Sequence, residues 1–185
     1  SVISEIPNVR SGDPIVARIF IQAAEAIKDK KFKVNIDVKR LTVLMHSCKE
    51  DVLVCEATLK KTLPEYEAIV EKIEKRELQK DGRAINPFPI IPTLESDASL
   101  FLTSAKRALQ RIIDVFCEGD GAEITNPRFD KAIEFLSKKR SDYRDYIEFL
   151  KQNETNVCRI VDLRNYQEHP AKNKKTTISN FRFTP

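Results

Sequence analysis

Apolar residues recur at spacings of three and four along much of this chain, which is the periodicity of an amphipathic α-helix. Glycine supplies only 4 of the 185 residues, against a usual frequency of about 7%. That scarcity argues against a turn-rich all-β protein or a glycine-loop nucleotide binder. The hydrophobic content of 41% is enough for a core, so we expect an all-α fold. The clearest apolar run comprises Ile36, Leu41, Leu44, Met45, Cys48, Val52, Cys55 and Leu59.

Residues 1–92 are predicted to form an N-terminal helical region. Asp13-Pro14 predicts a first helix reaching about residue 30, because Asp is a favoured N-cap and Pro fits the first helical position. A long helix follows from about residue 36. The sequence Thr62-Leu63-Pro64-Glu65 matches a capping box and therefore predicts the start of another helix, which should stop near Asp81-Gly82.

Three prolines lie within six positions in the segment Asn86-Pro87-Phe88-Pro89-Ile90-Ile91-Pro92. No helix can cross such a segment, because proline lacks an amide hydrogen and disfavours helical geometry in the residue before it. We therefore expect a linker or packed crossover at residues 83–93 and place a domain boundary after residue 92.

Residues 93–170 are predicted to form an antiparallel helical bundle. Ser96-Asp97 predicts the cap of a helix that ends at Gly119-Asp120-Gly121, and Asn126-Pro127 starts one long helix or two short ones broken near Ser141. A polar turn at residues 151–156 should precede the last helix. Four helical segments in roughly 75 residues are typical of an antiparallel bundle. Strand spacing in the tail, residues 171–185, is compatible with an edge strand.

The four cysteines form no CxxC pair and have no histidine or cysteine partner at zinc spacing. We expect reduced, packed thiols, because free cysteine behaves as a small buried hydrophobe. No apolar run approaches the ~20 residues that cross a bilayer. We therefore expect a soluble, cytoplasmic protein with no metal site, no cofactor and no membrane partner. The cysteines are Cys48, Cys55, Cys117 and Cys158.

An arginine and a histidine near the end of the last helix stand out chemically. The apolar stripe Val157, Ile160, Val161 continues at helical spacing to Arg164, so a guanidinium occupies a core-facing position. Its burial is costly unless it is paired or faces a wet pocket or an interface. His169 precedes Pro170, which biases it out of helical geometry and lets the imidazole swing back towards Arg164. Alternatively, the arginine interacts with the helix dipole and the histidine simply ends the helix.

The segment Arg164-Asn165-Tyr166-Gln167-Glu168-His169 resembles the Arg-x4-6-His motif of the HEPN superfamily, in its common form Arg-Asn-x-x-x-His. The helices from about Ser96 onward resemble a HEPN four-helix bundle in number and order. The resemblance implies a metal-independent endoribonuclease of the toxin or antiviral-defence type, with its active site at a homodimer interface. It further implies RNA as partner and allows an antitoxin or a nucleotidyltransferase as another.

The resemblance also implies residue roles. Arg164 would bind the scissile phosphate, His169 would move the proton, and Asn165 would orient the phosphate or the histidine. RNA carries its own nucleophile, so attack by the 2′-hydroxyl gives a 2′,3′-cyclic phosphate and a free 5′-hydroxyl. One histidine cannot be base and acid in the same concerted step, but an isologous dimer supplies a second His169.

The excess positive charge lies directly after this motif. Residues 1–170 balance at 28 cations and 28 carboxylates, so the tail carries the whole net charge of +4. Lys172, Lys174 and Lys175 are candidate RNA-phosphate contacts, and the alternative is a solvated basic tail. Tyr166 is a candidate for stacking on a base or for ordinary packing.

Two other interpretations remain open. The first is a catalytically inactive HEPN-like module that binds RNA or a partner protein. The second is a plain helical interaction protein in which the motif is coincidental and Arg164 and His169 lie apart. His46 is interpreted as an ordinary helix residue, and Ser104, Lys106 and Arg107 lie on a helix that could border the motif without an assigned role.

Overall fold

The computed structural model describes residues 37–75, 80–81, 84–85, 89–120, 124, 129–139, 144–171 and 173–181, together with positions 21 and 25. Four helices dominate this part of the chain, and the predicted all-α bundle is confirmed. The helix expected from Asp13 to about residue 30 lies outside the described residues. The helices are α1 (Val38–Glu74), α2 (Leu94–Asp120), α3 (Phe129–Lys139) and α4 (Arg144–Glu168), and β1 (Lys80–Asp81) pairs antiparallel with β2 (Ala84–Ile85).

Helix α1 begins at an aspartate cap and continues through a proline. The Asp37 carboxylate accepts hydrogen bonds from the backbone amides of Lys39 at 3.0 Å and Arg40 at 3.1 Å. The predicted new helix at Thr62 is wrong, because α1 passes through Pro64 unbroken. Thr62 donates its hydroxyl hydrogen bond to Asp97 of α2 at 3.2 Å instead of capping a new helix. Contacts between helices therefore outweigh the backbone bond that proline removes.

The end of α1 also differs from the prediction. The helix stops at Glu74 rather than near residue 81, and the Lys75 amide donates the last helical hydrogen bond to the Glu71 carbonyl at 2.9 Å. Residues 80–81 already belong to strand β1.

Helices α1 and α2 form the most extensive helix pair among the described residues. At its centre lies the Asp51 carboxylate, whose side chain is 3% exposed and which binds Arg107 and Arg111 of α2. Arg111 also donates to the Ser47 carbonyl at 2.7 Å. The boundary after residue 92 remains a prediction, but the helices on its two sides pack together.

Helix α2 begins two residues earlier than predicted. The first helical residue is Leu94, and Ser96 and Asp97 already lie within the first turn. The Asp97 carboxylate accepts hydrogen bonds from Thr93 at 2.7 Å and from Lys61 of α1 at 2.8 Å. The predicted capping residue therefore bridges two helices instead.

In the described part of residues 93–170 there are three helices where four were predicted. Two separate helices, α3 ending at Lys139 and α4 beginning at Arg144, cover the stretch predicted as one long helix or two short ones, and Ser141 itself lies outside the described residues. The polar turn at residues 151–156 is wrong, because these residues lie inside α4. Leu150 and Val157 on either side of them are both buried on one helix face, which keeps the helix continuous over the core. Helix α1, from the N-terminal region, packs against α2. The core cluster comprises Ile133, Leu136 and Leu150, with Phe116, Phe129 and Ile147 packed against it.

Hydrogen bonds connect Ile91 of the proline-rich segment to Asn180 of the tail. Ile91 is completely buried, and its backbone exchanges two hydrogen bonds with the Asn180 side chain, at 2.6 and 3.0 Å. Phe181 stacks on Tyr66 of α1 with ring centroids 5.5 Å apart. The described tail residues 171 and 173–181 form no strand beyond an isolated bridge between Ala171 and Lys174. The edge strand stays a prediction, because Phe183, on whose spacing from Phe181 it rests, lies outside the described residues. Within the described ranges, no helix has the length and apolar character needed to cross a membrane.

Two thiols at the α1–α2 interface should react slowly with alkylating reagents. Burial raises the pKa of Cys48 and of Cys55, and the nearby Asp51 charge raises both further. Because the thiolate is the nucleophile, we expect iodoacetamide at pH 7.5 to modify both several-fold more slowly than free cysteine. Mass spectrometry of timed samples would measure the rates, with the guanidinium-unfolded chain as control. Equal rates in the folded and unfolded chains would contradict this expectation.

Candidate functional site

The Arg164 guanidinium lies half-buried near the end of α4, as its place in the apolar stripe predicts. Its side chain is 19% exposed. It donates to Gln167 at 2.8 Å and pairs with Glu168 at 3.0 Å, both on its own helix. Its Nε is buried and has no hydrogen-bond partner among the described residues. Gln167 in turn donates to the Ser99 hydroxyl of α2 at 2.5 Å, so a chain of contacts fixes the guanidinium between two helices.

Lys106 of α2 joins the site from across the bundle. Its ammonium donates to the Asn165 side chain and to the Glu168 carboxylate, each at 2.8 Å. Asn165 is thereby held towards α2, and Glu168 lies between the two cations Lys106 and Arg164. No role could be assigned to Lys106 from the sequence, because 59 residues separate it from Asn165.

His169 is exposed immediately after the last residue of α4. Its backbone amide donates to the Asn165 carbonyl at 2.8 Å, which extends the helical hydrogen bonding by one residue before Pro170. Its charge acts on Glu168, as does that of Arg164. The two motif residues are therefore neighbours of one carboxylate at the same end of α4.

The basic tail folds back over α4. Lys174 places its ammonium 5.4 Å from the centre of the Tyr166 ring, a cation–π distance. Lys174 and Lys175 are exposed, and Asn180 anchors the segment that follows them. Lys172 lies outside the described residues. Tyr166 therefore packs beneath a tail lysine in this structure.

A groove of about 370 Å³ adjoins the motif between α2, α3 and α4. Lys106 and Asn165 belong to its lining, whereas Arg164 and His169 do not. Among the described residues, no group of three or more histidine, cysteine, aspartate or glutamate side chains is arranged to hold a metal ion.

The pKa of Glu168 reports the contact with Lys106. The Lys106 hydrogen bond lowers this pKa, with the charges of Lys106, Arg164 and His169 adding to the effect. A depressed carboxyl pKa stabilises the folded state above the unfolded-state pKa, and that stability is lost as pH falls through the folded-state value. We expect Lys106→Met to raise the pKa of Glu168 towards its ordinary value, measured by NMR titration of the carboxyl carbon.

A second lysine provides the control for this titration. Lys138 and Lys131 hydrogen-bond to Glu134 and lower its pKa to about 2. Lys138→Met should raise the pKa of Glu134 and leave that of Glu168 unchanged. An unchanged Glu168 titration in Lys106→Met would show that the contact is not formed in solution.

Sequence reasoning missed three of these partners. Glu168 had a detectable signal, since it stands four residues after Arg164, the spacing of helical ion pairs. Lys106 and Ser99 had none, because only the packing of α2 on α4 brings them to the motif.

Comparison of the chain with protein-family models, with curated proteins and with solved structures finds no match.

Proposed function

We propose that this protein is a metal-independent endoribonuclease that acts as a homodimer and produces a 2′,3′-cyclic phosphate. The observation that supports it best is that the Arg164 guanidinium, held by Gln167 and Glu168, and the exposed His169 lie at the same end of α4.

Arg164 is suited to binding phosphate because its guanidinium is positioned before any ligand arrives. Gln167 and Ser99 hold it from one side. The planar donor pattern of arginine matches two oxygens of a phosphate, and a donor that is already positioned stabilises charge developing on them. An RNA phosphate would take the place of the Glu168 carboxylate. Lys106 would retain Glu168 through its own bond.

His169 is suited to proton transfer because it is exposed and because histidine is the side chain that most often serves as a general acid or base. It removes the proton from the 2′-hydroxyl, while the His169 of a second copy protonates the leaving 5′-oxygen. Both copies would meet at a two-fold axis near the end of α4. Lys174 and Lys175 would neutralise phosphates that flank the cut.

The biological setting follows from the HEPN resemblance. Such a ribonuclease would act in the cytoplasm as the toxin of a toxin–antitoxin pair or in antiviral defence. An antitoxin or a nucleotidyltransferase would then be its protein partner.

Cleavage of a defined RNA in the presence of EDTA tests the proposal. We expect cleavage to persist and the products to carry 2′,3′-cyclic phosphate and 5′-hydroxyl ends. Size-exclusion chromatography of the same sample should show a dimer. Loss of cleavage on chelation, or products with 5′-phosphate ends, would contradict the proposal.

A catalytically inactive RNA-binding module is the second candidate. It is favoured by the observation that the Arg164 guanidinium already binds Gln167 and Glu168, which would compete with an RNA phosphate. This candidate predicts RNA binding with no cyclic-phosphate product.

The tail lysines should contribute to RNA affinity under either candidate. Because Lys174 and Lys175 are exposed and fixed near the motif, replacing both with alanine should weaken binding at low salt and flatten its salt dependence. For single-stranded RNA the lost slope should be about 1.4 in log K against log salt, at about 0.7 for each charge. Fluorescence anisotropy measures it, with the exposed Lys151→Ala on α4 as a single-charge control. An unchanged salt dependence of RNA binding would show that Lys174 and Lys175 do not contact RNA phosphates.

A further inference from the structure

The groove between α2, α3 and α4 has the form of a small-molecule site. Its volume is about 370 Å³, within the usual range of ligand pockets. The floor is apolar, with Ile113 and Val157 only 4% and 8% exposed. Phe129 adds an aromatic side chain to the wall. The groove therefore offers buried apolar contacts beside polar side chains to a small ligand.

The polar groups of the lining indicate which chemical class of ligand fits the groove. Asp130 and Asp162 contribute two negative charges and Lys106 one positive charge, so the groove disfavours a phosphate. The Lys106 charge is also engaged by Glu168. Exposed Gln110 and Asp162 lie at the rim and offer hydrogen-bond acceptors to a ligand edge. A neutral heterocycle with N–H donors on its edge matches this pattern.

The position of the groove connects it to the proposed phosphate contact. Asn165 lines the groove and is the chain neighbour of Arg164. Lys106, which also lines the groove, binds Glu168, the carboxylate paired with Arg164. A nucleotide whose phosphate replaces Glu168 on Arg164 would therefore place an adjoining base near the groove. Single-stranded RNA is recognised in this way, with unstacked bases held by apolar contacts and by hydrogen bonds to their edges.

We propose that this groove binds one nucleobase of the RNA beside the cleaved phosphate, with preference for a base that carries an amino group. The proposal rests on the RNA-directed function above. The apolar floor holds the faces of the base, and Asp162 and Gln110 accept hydrogen bonds from its edge. The groove would thus set the sequence preference of cleavage.

Binding of abasic RNAs to the full-length His169→Ala protein tests the proposal. A short RNA is prepared as a series in which each nucleotide in turn lacks its base, and affinities are measured by anisotropy. We expect one abasic position to weaken binding about fivefold or more, since a stacked base contributes roughly that much or more. Restoring an amino-bearing base there should bind more tightly than uracil.

Two variants link that effect to the groove. Val161→Trp fills the groove and should remove the difference between intact and abasic RNA, whereas Val43→Trp on the exposed face of α1 should preserve it. Gln110→Ala leaves the core untouched and should reduce the preference for an amino-bearing base. If Val161→Trp fails to fold, the result for Gln110→Ala decides whether the groove binds the base.

The possible failures can be told apart. Cleavage by the parent protein with no base effect would overturn the groove proposal and leave the ribonuclease intact. A base effect abolished by these variants without any cleavage would support the groove and overturn catalysis. Absence of RNA binding would overturn both.

Discussion

Replacing Asp51 with alanine is expected to lower the free energy of unfolding by about 1–3 kcal/mol. The Asp51 carboxylate is almost completely buried between α1 and α2 and binds two arginines of α2. Its removal leaves Arg107 and Arg111 without their shared counter-charge at the interface. The side chains of Arg107 and Arg111 are 53% and 31% exposed, so water solvates part of the charge that remains and the loss stays below that of a fully buried ion pair.

Urea unfolding followed by circular dichroism measures this effect. Glu71→Ala is the matched control, because the Glu71–Lys75 pair on the same helix is solvent-exposed and such pairs contribute less than about 1 kcal/mol. A loss below about 1 kcal/mol for Asp51→Ala would show that the buried triad does not hold α1 to α2.

Replacing Arg164 or His169 with alanine is expected to reduce the rate of RNA cleavage by orders of magnitude. Removing one pre-positioned donor to the developing charge costs about 10²–10³-fold, and removing the proton-transfer group costs about 10²–10⁴-fold. Arg164→Lys should restore little activity, because an ammonium cannot reproduce the two parallel hydrogen bonds of a guanidinium.

Single-turnover cleavage at saturating protein measures these losses without contributions from product release. Arg159→Ala provides the control for Arg164, because Arg159 is an exposed arginine on the same helix. Circular dichroism of each variant distinguishes a catalytic loss from unfolding. Full activity in Arg164→Ala would place the phosphate contact elsewhere.

The fold was predictable where local periodicity decides it. Helix α1 follows the apolar spacing of its first half, and the break between α3 and α4 near Ser141 was one of two stated alternatives. The errors lie where tertiary contacts override local rules. Thr62 and Pro64 form a convincing capping box in sequence, yet Thr62 bonds to Asp97 and the helix continues. Residues 151–156 are polar because that face of α4 meets solvent, not because the chain turns.

The candidate site was predictable only in part for the same reason. The apolar stripe of α4 correctly indicated the half-burial of Arg164, since helical spacing alone fixes which face a residue occupies. Lys106 and Ser99 reach the motif from another helix, and single-sequence periodicity contains no information on that pairing. The buried Asp51 likewise appeared as one of many helix carboxylates until its two arginine partners were located.

Cleavage of RNA by the parent protein and by His169→Ala, side by side in EDTA, tests the proposed ribonuclease most directly. His46→Ala is included because His46 is the other histidine of the chain. We predict cleavage by the parent and by His46→Ala, and a loss of about 100-fold or more for His169→Ala. Equal rates for the parent and His169→Ala, or no cleavage by a correctly folded dimer, would contradict a ribonuclease built on this motif.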